Sequence, residues 1–486
     1  MKSFIPLFRK GNMKKIFVLI TIFICSVSSV FAQNFNDALR LTEPGISFNG
    51  KALGMGNTFV SRLSGVSSTQ FNPAAIAFAK KAQFDASLDY NSFSNDATLF
   101  STTRNGDQSL TNFNELGVIL PVPTVQGSMA LAIGYSESKN FNRALRFSGF
   151  NSGNNSMIQE LTDYRDEMIY QLRLSNVLDA NNDYTLINGK LNQSGKIMSE
   201  GGINSWYLSG AVEVEKNIFL GATINLLSGT FTRTRIYTEE DSENYYKTLL
   251  DPKEPKTADF ISFDMSDVIK WDIAGWDLKL GIIAKVNQQV NVGFTARLPR
   301  TFTIKEVYSN SGSSMFGTGA AYTFAYADVK SEYEISSPAE FSGGVSYSER
   351  YFTFAGEIKL INYSAAQFTS GFDQFELDKK NNDIKNLLRT TLNFNLGGEY
   401  LVPKSNFSLR AGFMYMPSSF NDDPSEFDKK FITAGLGYNL TNGMQLNIGY
   451  AFGWWEDYGD NYSSRLSRTY QKITAGNLTT SLKFNF

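Results

Sequence analysis

Lys279, Arg297 and Arg410 each stand in a run of residues that otherwise alternates apolar with small or polar side chains. A cation held on the polar side of such a run has two chemical uses: it can bind an anionic group such as a carboxylate, or be neutralised by a neighbouring Asp or Glu. From the residues alone both remain open. A second feature is the Asn72-Pro73-Ala74 break inside the glycine-rich, lightly charged stretch Gly50–Ala79. Proline fixes φ and asparagine caps turns, so the stretch suits a compact plug or an ordinary N-terminal loop better than a strand. What is missing excludes more. There is no histidine, which removes the usual general base, the commonest metal ligand and the usual haem ligand. A Ser-His nucleophile cannot be built. No catalytic residue, metal or cofactor is therefore expected, and the protein is not expected to be an enzyme. Haem could be ligated by Tyr or Met, but no sequence feature asks for it.

The segments that carry the three cations belong to a pattern repeated down the chain. In Trp276–Lys285, Trp276, Leu278, Leu280 and Ile282 oppose Asp277 and Lys279; in Phe407–Tyr415, Phe407, Leu409, Ala411, Phe413 and Tyr415 oppose Ser408 and Arg410. Period two puts these sets on opposite sides of a strand. The same alternation marks Gln83–Tyr90, Trp206–Val214, Ile218–Ser228, Val290–Leu298, Phe341–Tyr347, Phe352–Ile361, Leu392–Tyr400, Ile432–Leu440, Met444–Phe452 and Leu478–Phe486. Asn114–Val122 and Ser128–Tyr135 follow it less cleanly, and the tally is fourteen. Most of these segments reach about 9–11 residues, the span of a tilted transmembrane strand, where soluble strands average about 5–6. Their clear apolar faces carry no charge, as a lipid-facing surface requires, and Tyr and Trp recur near segment ends, where interfacial girdles belong.

Connection lengths test the pattern independently. The short connections are Pro121–Gly127, Glu215–Asn217, Asn287–Gln289, Ser348–Arg350, Val402–Asn406 and Thr441–Gly443. The long ones, among them Ser136–Asn204, Gly229–Gly275, Asn362–Thr390 and Gly453–Asn477, alternate with them. Short periplasmic turns alternating with long outer loops predict an all-β membrane protein, a 14-stranded antiparallel outer-membrane β-barrel. Within the long loops, Met157–Leu178 has near-helical spacing and reads as an amphipathic helix, either walling a ligand groove or folded over the rim. Thr301–Tyr308 and Tyr322–Ile335 are expected to extend two strands beyond the membrane.

The N-terminus is a targeting signal over residues 1–32, with Lys14 and Lys15 before the apolar run Ile16–Val27 and a cleavage site after Ala32. Met13 offers a second start. The lone cysteine, Cys25, falls inside the signal, which leaves no thiol chemistry after cleavage. Residues 1–32 carry five basic residues and no acid, so the formal charge moves from −2 to −7 on their removal. A nucleic-acid partner is not expected. About 8 strands fill a barrel with their own side chains, whereas about 16–18 leave an aqueous channel. Fourteen lies between, so residues 33–80 are expected to plug the lumen as a hatch, with residues 81–486 forming the barrel.

Gln70-Phe71-Asn72-Pro73-Ala74-Ala75, with the glycine-rich run before it, resembles the hatch of the FadL/OmpP1/TodX family of outer-membrane long-chain fatty acid and aromatic hydrocarbon transporters. The resemblance continues through Arg297-Leu298-Pro299-Arg300-Thr301-Phe302, Leu396–Tyr400, Leu409–Tyr415 and Ile432–Tyr438. It implies passive uptake of hydrophobic small molecules, captured at the outer loops and released past a movable hatch, with Asn72, Pro73 and Ala74 in the gate. Lys279, Arg297 and Arg410 are lumen-facing candidates for a ligand carboxylate. The expected partners are that ligand, outer-membrane lipid and the barrel assembly machinery, which reads a terminal aromatic residue, here Phe486. The alternative is a barrel of the same family acting as a carrier or shuttle for secreted proteins in protein export.

Overall fold

A computed structural model describes residues 34–46, 49–62, 65–179, 182–441, 443–462 and 465–486. The expected targeting signal, residues 1–32 with Cys25, lies outside the described residues. Fourteen antiparallel strands close on themselves. They are β1 (Gln83–Leu99), β2 (Thr102–Val122), β3 (Met129–Asn140), β4 (Leu191–Glu215), β5 (Ile218–Glu240) and β6 (Phe260–Lys285). Next come β7 (Val290–Arg297, resuming as Thr301–Phe316), β8 (Val329–Ser336, then Glu340–Ser348) and β9 (Phe352–Asn362, resuming as Gln367–Ser370). The ring ends with β10 (Thr390–Leu401), β11 (Phe407–Met416), β12 (Lys429–Thr441), β13 (Met444–Asp460) and β14 (Arg468–Asn485). Pairing of β1 with β14, from Gln83↔Asn485 to Thr98↔Tyr470, shuts the barrel.

The expected alternation sets the two faces. Leu131, Ile133, Trp206, Leu208, Trp276, Leu280, Phe354 and Leu436 are exposed outward, while Asp85, Asp277, Lys279, Glu357, Glu399 and Arg410 are buried inward. In an aqueous protein such an apolar exterior would be a liability; here it is the lipid-facing band. Aromatic residues mark its inner edge, with Phe352 stacked on Tyr400 at 4.7 Å and Phe407 against Tyr438 at 4.7 Å. The short turns fall where expected.

The outer connections differ from the expected loops. β4, β5 and β6 run for 25, 23 and 26 residues, far beyond the about 9–11 that cross the bilayer, so much of Ser136–Asn204 and Gly229–Gly275 is strand. These long strands and Thr301–Phe316 make one side of the rim tall, as β11 with 10 residues leaves the other low. Met157–Leu178 is not one helix. Arg165, with φ 55°, separates two short ones, Met157–Asp163 and Glu167–Gln171. Their Met157, Ile158, Met168 and Ile169 bury against Phe147, Tyr237, Phe260 and Phe316 in a hydrophobic core above the membrane. The segment is a cap folded over the tall rim rather than the wall of a groove.

The N-terminal segment lies inside the barrel. It forms α1 (Phe35–Thr42), α2 (Gly50–Gly54), α3 (Ser68–Phe71) and a 3-10 turn Pro73–Phe78. Asn34 caps α1 in a reciprocal box with Asp37, and Asn49 caps α2, so these two helices have a local start signal, whereas no side chain caps α3.

Beyond β14, the Phe486 amide donates to Ala82 O at 2.9 Å and its ring is exposed. Deleting Phe486 is expected to lower the amount of assembled barrel in the membrane severalfold, measured by heat-modifiable mobility on gels. Wild-type levels would remove Phe486 from assembly.

Candidate functional site: a seated hatch and the cavities around it

The hatch is seated on glycines of the wall. A Cβ built on Gly412 would stand 2.5 Å from Gly56 N and 2.7 Å from Met55 C, and one on Gly435 2.9 Å from Gly54 Cα. Gly221 is as close to Pro73 and Ala74, Gly281 to Asn72, and Gly293 to Val60. Glycine weakens a strand unless another backbone must approach it; here, strand after strand gives up a side chain at the level of the plug.

Polar contacts then fix its orientation. Asn72 is fully buried; its Nδ2 donates to Val60 O at 2.7 Å and Ile282 O at 3.0 Å, and its Oδ1 accepts from Ala74 N at 3.1 Å. Pro73 follows as the first residue of the 3-10 turn, where a missing N–H costs nothing. Glu357 accepts the Phe59 and Val60 amides at 3.2 Å each, and Asp85 accepts Val66 N at 2.6 Å. Glu399 gathers three cations: Arg410 at 2.8 Å from its own wall, and Arg62 at 2.9 Å and Lys51 at 3.5 Å from the hatch. Burial pushes the Lys51 ammonium down to about 7, against the opposing pull of Glu399.

Above the hatch an outer cavity of about 790 Å³ opens on the low side of the rim. Phe35 and Leu39 of α1 face Phe93, Phe231, Trp455 and Ile473 across it, with Lys139, Arg143, Arg233 and Lys429 among its walls. Glu43 stands at its floor. Burial raises its carboxyl, but Lys429 at 2.9 Å and Lys139 at 3.9 Å outweigh that and hold it at about 2. Two smaller chambers meet the cavity along Glu43–Pro44 and Lys139.

The first, about 40 Å³, lies between the hatch and β6–β9. It contains Lys279 and Arg297, together with Arg300, which sequence reasoning missed. Arg297 faces Lys279 across the β6–β7 ladder, a like-charge pair that would be unfavourable alone. Glu340 relieves it, 3.3 Å from Arg297 and 2.9 Å from Arg300, as Asp277 does at 3.9 Å from Arg297. Lys279 Nζ donates to Gln70 O of the hatch. The cluster sits at a shared break: β7 is interrupted at Leu298–Arg300, β8 at Ser337–Ala339 and β9 at Tyr363–Ala366. Arg410 is not part of this chamber. Its side chain is enclosed against Glu399 under α2.

The second chamber, about 100 Å³, leads toward the side of the barrel. The β2–β3 ladder ends at Glu115↔Ser136; above that level β3 pairs only with β4. Side chains span the seam, Asn112 Nδ2 donating to Glu137 Oε1 at 2.8 Å and, higher up, Gln108 Nε2 to Asn142 Oδ1 at 3.5 Å. Glu137 lines both the chamber inside and a groove outside between Phe113 and Tyr135. Sequence reasoning placed Glu137 in an outer loop, because ladder register leaves no trace in residue order. Glu357 and Glu399, by contrast, stand on visible polar faces and could have been found as lumen acids.

A closed, lipid-banded ring of antiparallel strands with its own N-terminal segment seated inside is a plugged outer-membrane β-barrel. Residues 27–482 match the family model of the outer membrane protein transport proteins (OMPP1/FadL/TodX), and the chain belongs to that family. The family is one of transport proteins, and the chain is not an enzyme. Among solved structures, the toluene transporter TodX of Pseudomonas putida is 13% identical, covering 91% of this chain and 99% of its own, with a TM-score of 0.53. A FadL homologue from Pseudomonas aeruginosa is 12% identical, covering 91% and 100%, with a TM-score of 0.56. The monoaromatic hydrocarbon channel CymD is 12% identical, covering 91% and 98%, with a TM-score of 0.50. These likenesses establish the fold. No curated protein sequence matches the chain.

Proposed function

We propose that the protein is a passive transporter for long-chain fatty acids or other hydrophobic small molecules, with the hatch as its gate. One observation carries the reading: an aromatic cavity of about 790 Å³ opens to the outside and ends on the hatch, beside a buried cluster of cations. Its size lies within the about 300–1,000 Å³ of small-molecule sites. Lys139, Arg143, Arg233 and Lys429 would attract an anionic head while Phe93, Phe231 and Trp455 take the apolar body. Lys279 and Arg297, with Arg300, are the carboxylate candidates deeper in, whereas Arg410 serves to lock the hatch. The deeper chamber, about 40 Å³, holds a few waters at most. A ligand therefore requires the hatch to move, and the β2–β3 seam beside it leads sideways through the wall.

Mass spectrometry of molecules extracted from the purified barrel tests this directly. Fatty acids or hydrocarbons are expected; an empty barrel that retains secreted proteins would replace the reading with protein export. The gate has its own test. Asn72→Ala with Pro73→Ala removes three hydrogen bonds worth roughly 0.5–1.5 kcal/mol each. Uptake of a labelled fatty acid is expected to change at least severalfold while the barrel stays heat-modifiable, and unaltered uptake would take Asn72 and Pro73 out of the gate.

A further inference from the structure

We propose that Glu43 is a tethered stand-in for the ligand's anionic head: the hatch's own carboxylate holds the cations that an incoming carboxylate must take. The inference rests on the transport reading and names its substrate class, an anionic amphiphile rather than a neutral hydrocarbon. Glu43 is the C-cap of α1 and meets Lys429 of β12 at 2.9 Å and Lys139 of β3 at 3.9 Å. In the Lys429 pair the two side chains stay 25% and 28% exposed, so the pair can be reached from the outer cavity that all three residues line.

The balance of charge favours an added anion here. Arg143 is also within electrostatic reach of Glu43; it lies over the Phe93 ring at 4.8 Å and makes no ion pair among the described residues. Asp457 is drawn to Lys429 as well. Three cations against two acids leave the floor of the cavity net positive. Of the other acids around it, Asp37, Asp460 and Glu456 have their own cations in Arg40, Arg468 and Lys472, and Asp422 and Asp423 belong to the connection after β11.

A second observation is positional. Pro44 and Lys139 line the outer cavity and both inner chambers, so the turn after α1 is the partition between them. Lys139 Nζ grips that turn, donating to Arg40 O at 2.6 Å and to Glu43 O at 2.9 Å. Gly45 packs so closely on β3 that a Cβ there would collide with Ser138 O. The ammonium that would receive a ligand head is thus the one that holds the partition shut. A second carboxylate at Lys139 and Lys429 meets Glu43 as a like charge. Glu43 gives way and the turn loses its ties, while Arg300, donating to Thr42 O at 3.1 Å, keeps α1 attached. A neutral hydrocarbon fills the aromatic part of the cavity and leaves the pair intact. A tethered group competes at an effective concentration on the order of millimolar, so removing it must tighten binding of a charged head.

The test uses the full-length purified barrel, with oleate and its uncharged methyl ester as probes. Glu43→Gln should bind oleate severalfold more tightly and leave the affinity for methyl oleate unchanged. Thr295→Cys, buried in the first chamber, reports the partition through its labelling by a maleimide. Oleate should speed that labelling severalfold and methyl oleate should not, whereas Glu43→Gln should speed it with no ligand present. Glu240→Gln at the exposed end of β5 should change neither binding nor labelling. Heat-modifiable mobility certifies each variant as folded. Oleate affinity that stays level or falls in Glu43→Gln would overturn the proposal, as would an equal gain for methyl oleate, which would make Glu43 a plain clamp. If neither probe binds the wild type, the transport reading fails and takes this one with it. If oleate binds wild type and Glu43→Gln alike, only the stand-in fails.

Discussion

Gly412→Leu is expected to unseat the hatch while leaving a folded barrel. The Cβ alone would meet Gly56 N at 2.5 Å, Met55 C at 2.7 Å and Thr433 Oγ1 at 2.7 Å, and the last is the acceptor that Gly56 N uses at 3.1 Å. Gly56 has little room to yield, because it already holds φ +60°, a conformation that favours glycine. The hatch, not β11, must move. Overpacking of this kind costs about 1–3 kcal/mol, which shifts the seated population by roughly 5- to 150-fold. Cells carrying the variant should admit large antibiotics that the wild type excludes, and a cysteine placed at Ala52 should become reactive from outside. Gly343→Ala is the matched control: it has nothing within 4 Å of its Cβ, so wild-type exclusion is expected. If Gly412→Leu also behaves as wild type, the glycine seat is not what holds the plug.

The barrel was legible because two physical constraints act on every strand. Lipid on one side and a polar lumen on the other impose period two, and hairpins at one end must be short. Leu409–Tyr415 and Trp276–Ile282 display both, so register with lipid could be read directly from residue order. The outer strands were not legible, because beyond Trp206 and Trp276 neither face meets lipid and the alternation loses its meaning. The cap helices were misread as one for a related reason: their apolar residues continue at helical spacing across Arg165, and only its positive φ reveals the break. The site was legible in part. Lys279, Arg297 and Arg410 had to face inward, since no cation would stand on the lipid side. Which of them share a chamber depends on neighbours brought together across ladders, Glu340 from β8 and Glu399 from β10, and on Gln70 from the hatch. Pairing of that kind follows from closure of the ring, which no local pattern encodes.

Glu399→Gln should release the hatch more strongly than any loss of a single hydrogen bond. One carboxylate compensates Arg410 at 2.8 Å, Arg62 at 2.9 Å and Lys51 at 3.5 Å, and all three sit in a mostly buried pocket. Removing one partner of a buried ion pair costs about 3–5 kcal/mol, because the remaining charge stays desolvated; here three cations lose their common counterion. The effect should depend on pH, in a direction set by Lys51. Burial holds its ammonium at about 7 in the seated hatch, below the ordinary 10.5, and Glu399 is what keeps it from falling further. An unseated hatch returns Lys51 to water and binds the extra proton between those values, so seating strengthens as pH rises through that window. In Glu399→Gln the lower bound of the window drops. Unseating should then be most complete in acid, where Lys51 is charged, and partly reversed at pH values where it has given up its proton. Protease cleavage of the hatch or cysteine reactivity at Ala52, measured across pH on the purified barrel, reads this out. Glu399→Gln combined with Arg410→Gln removes one of the stranded charges and should recover part of the seating. A hatch that stays protected at every pH in Glu399→Gln would show that the glycine seat suffices and that the ion cluster is dispensable.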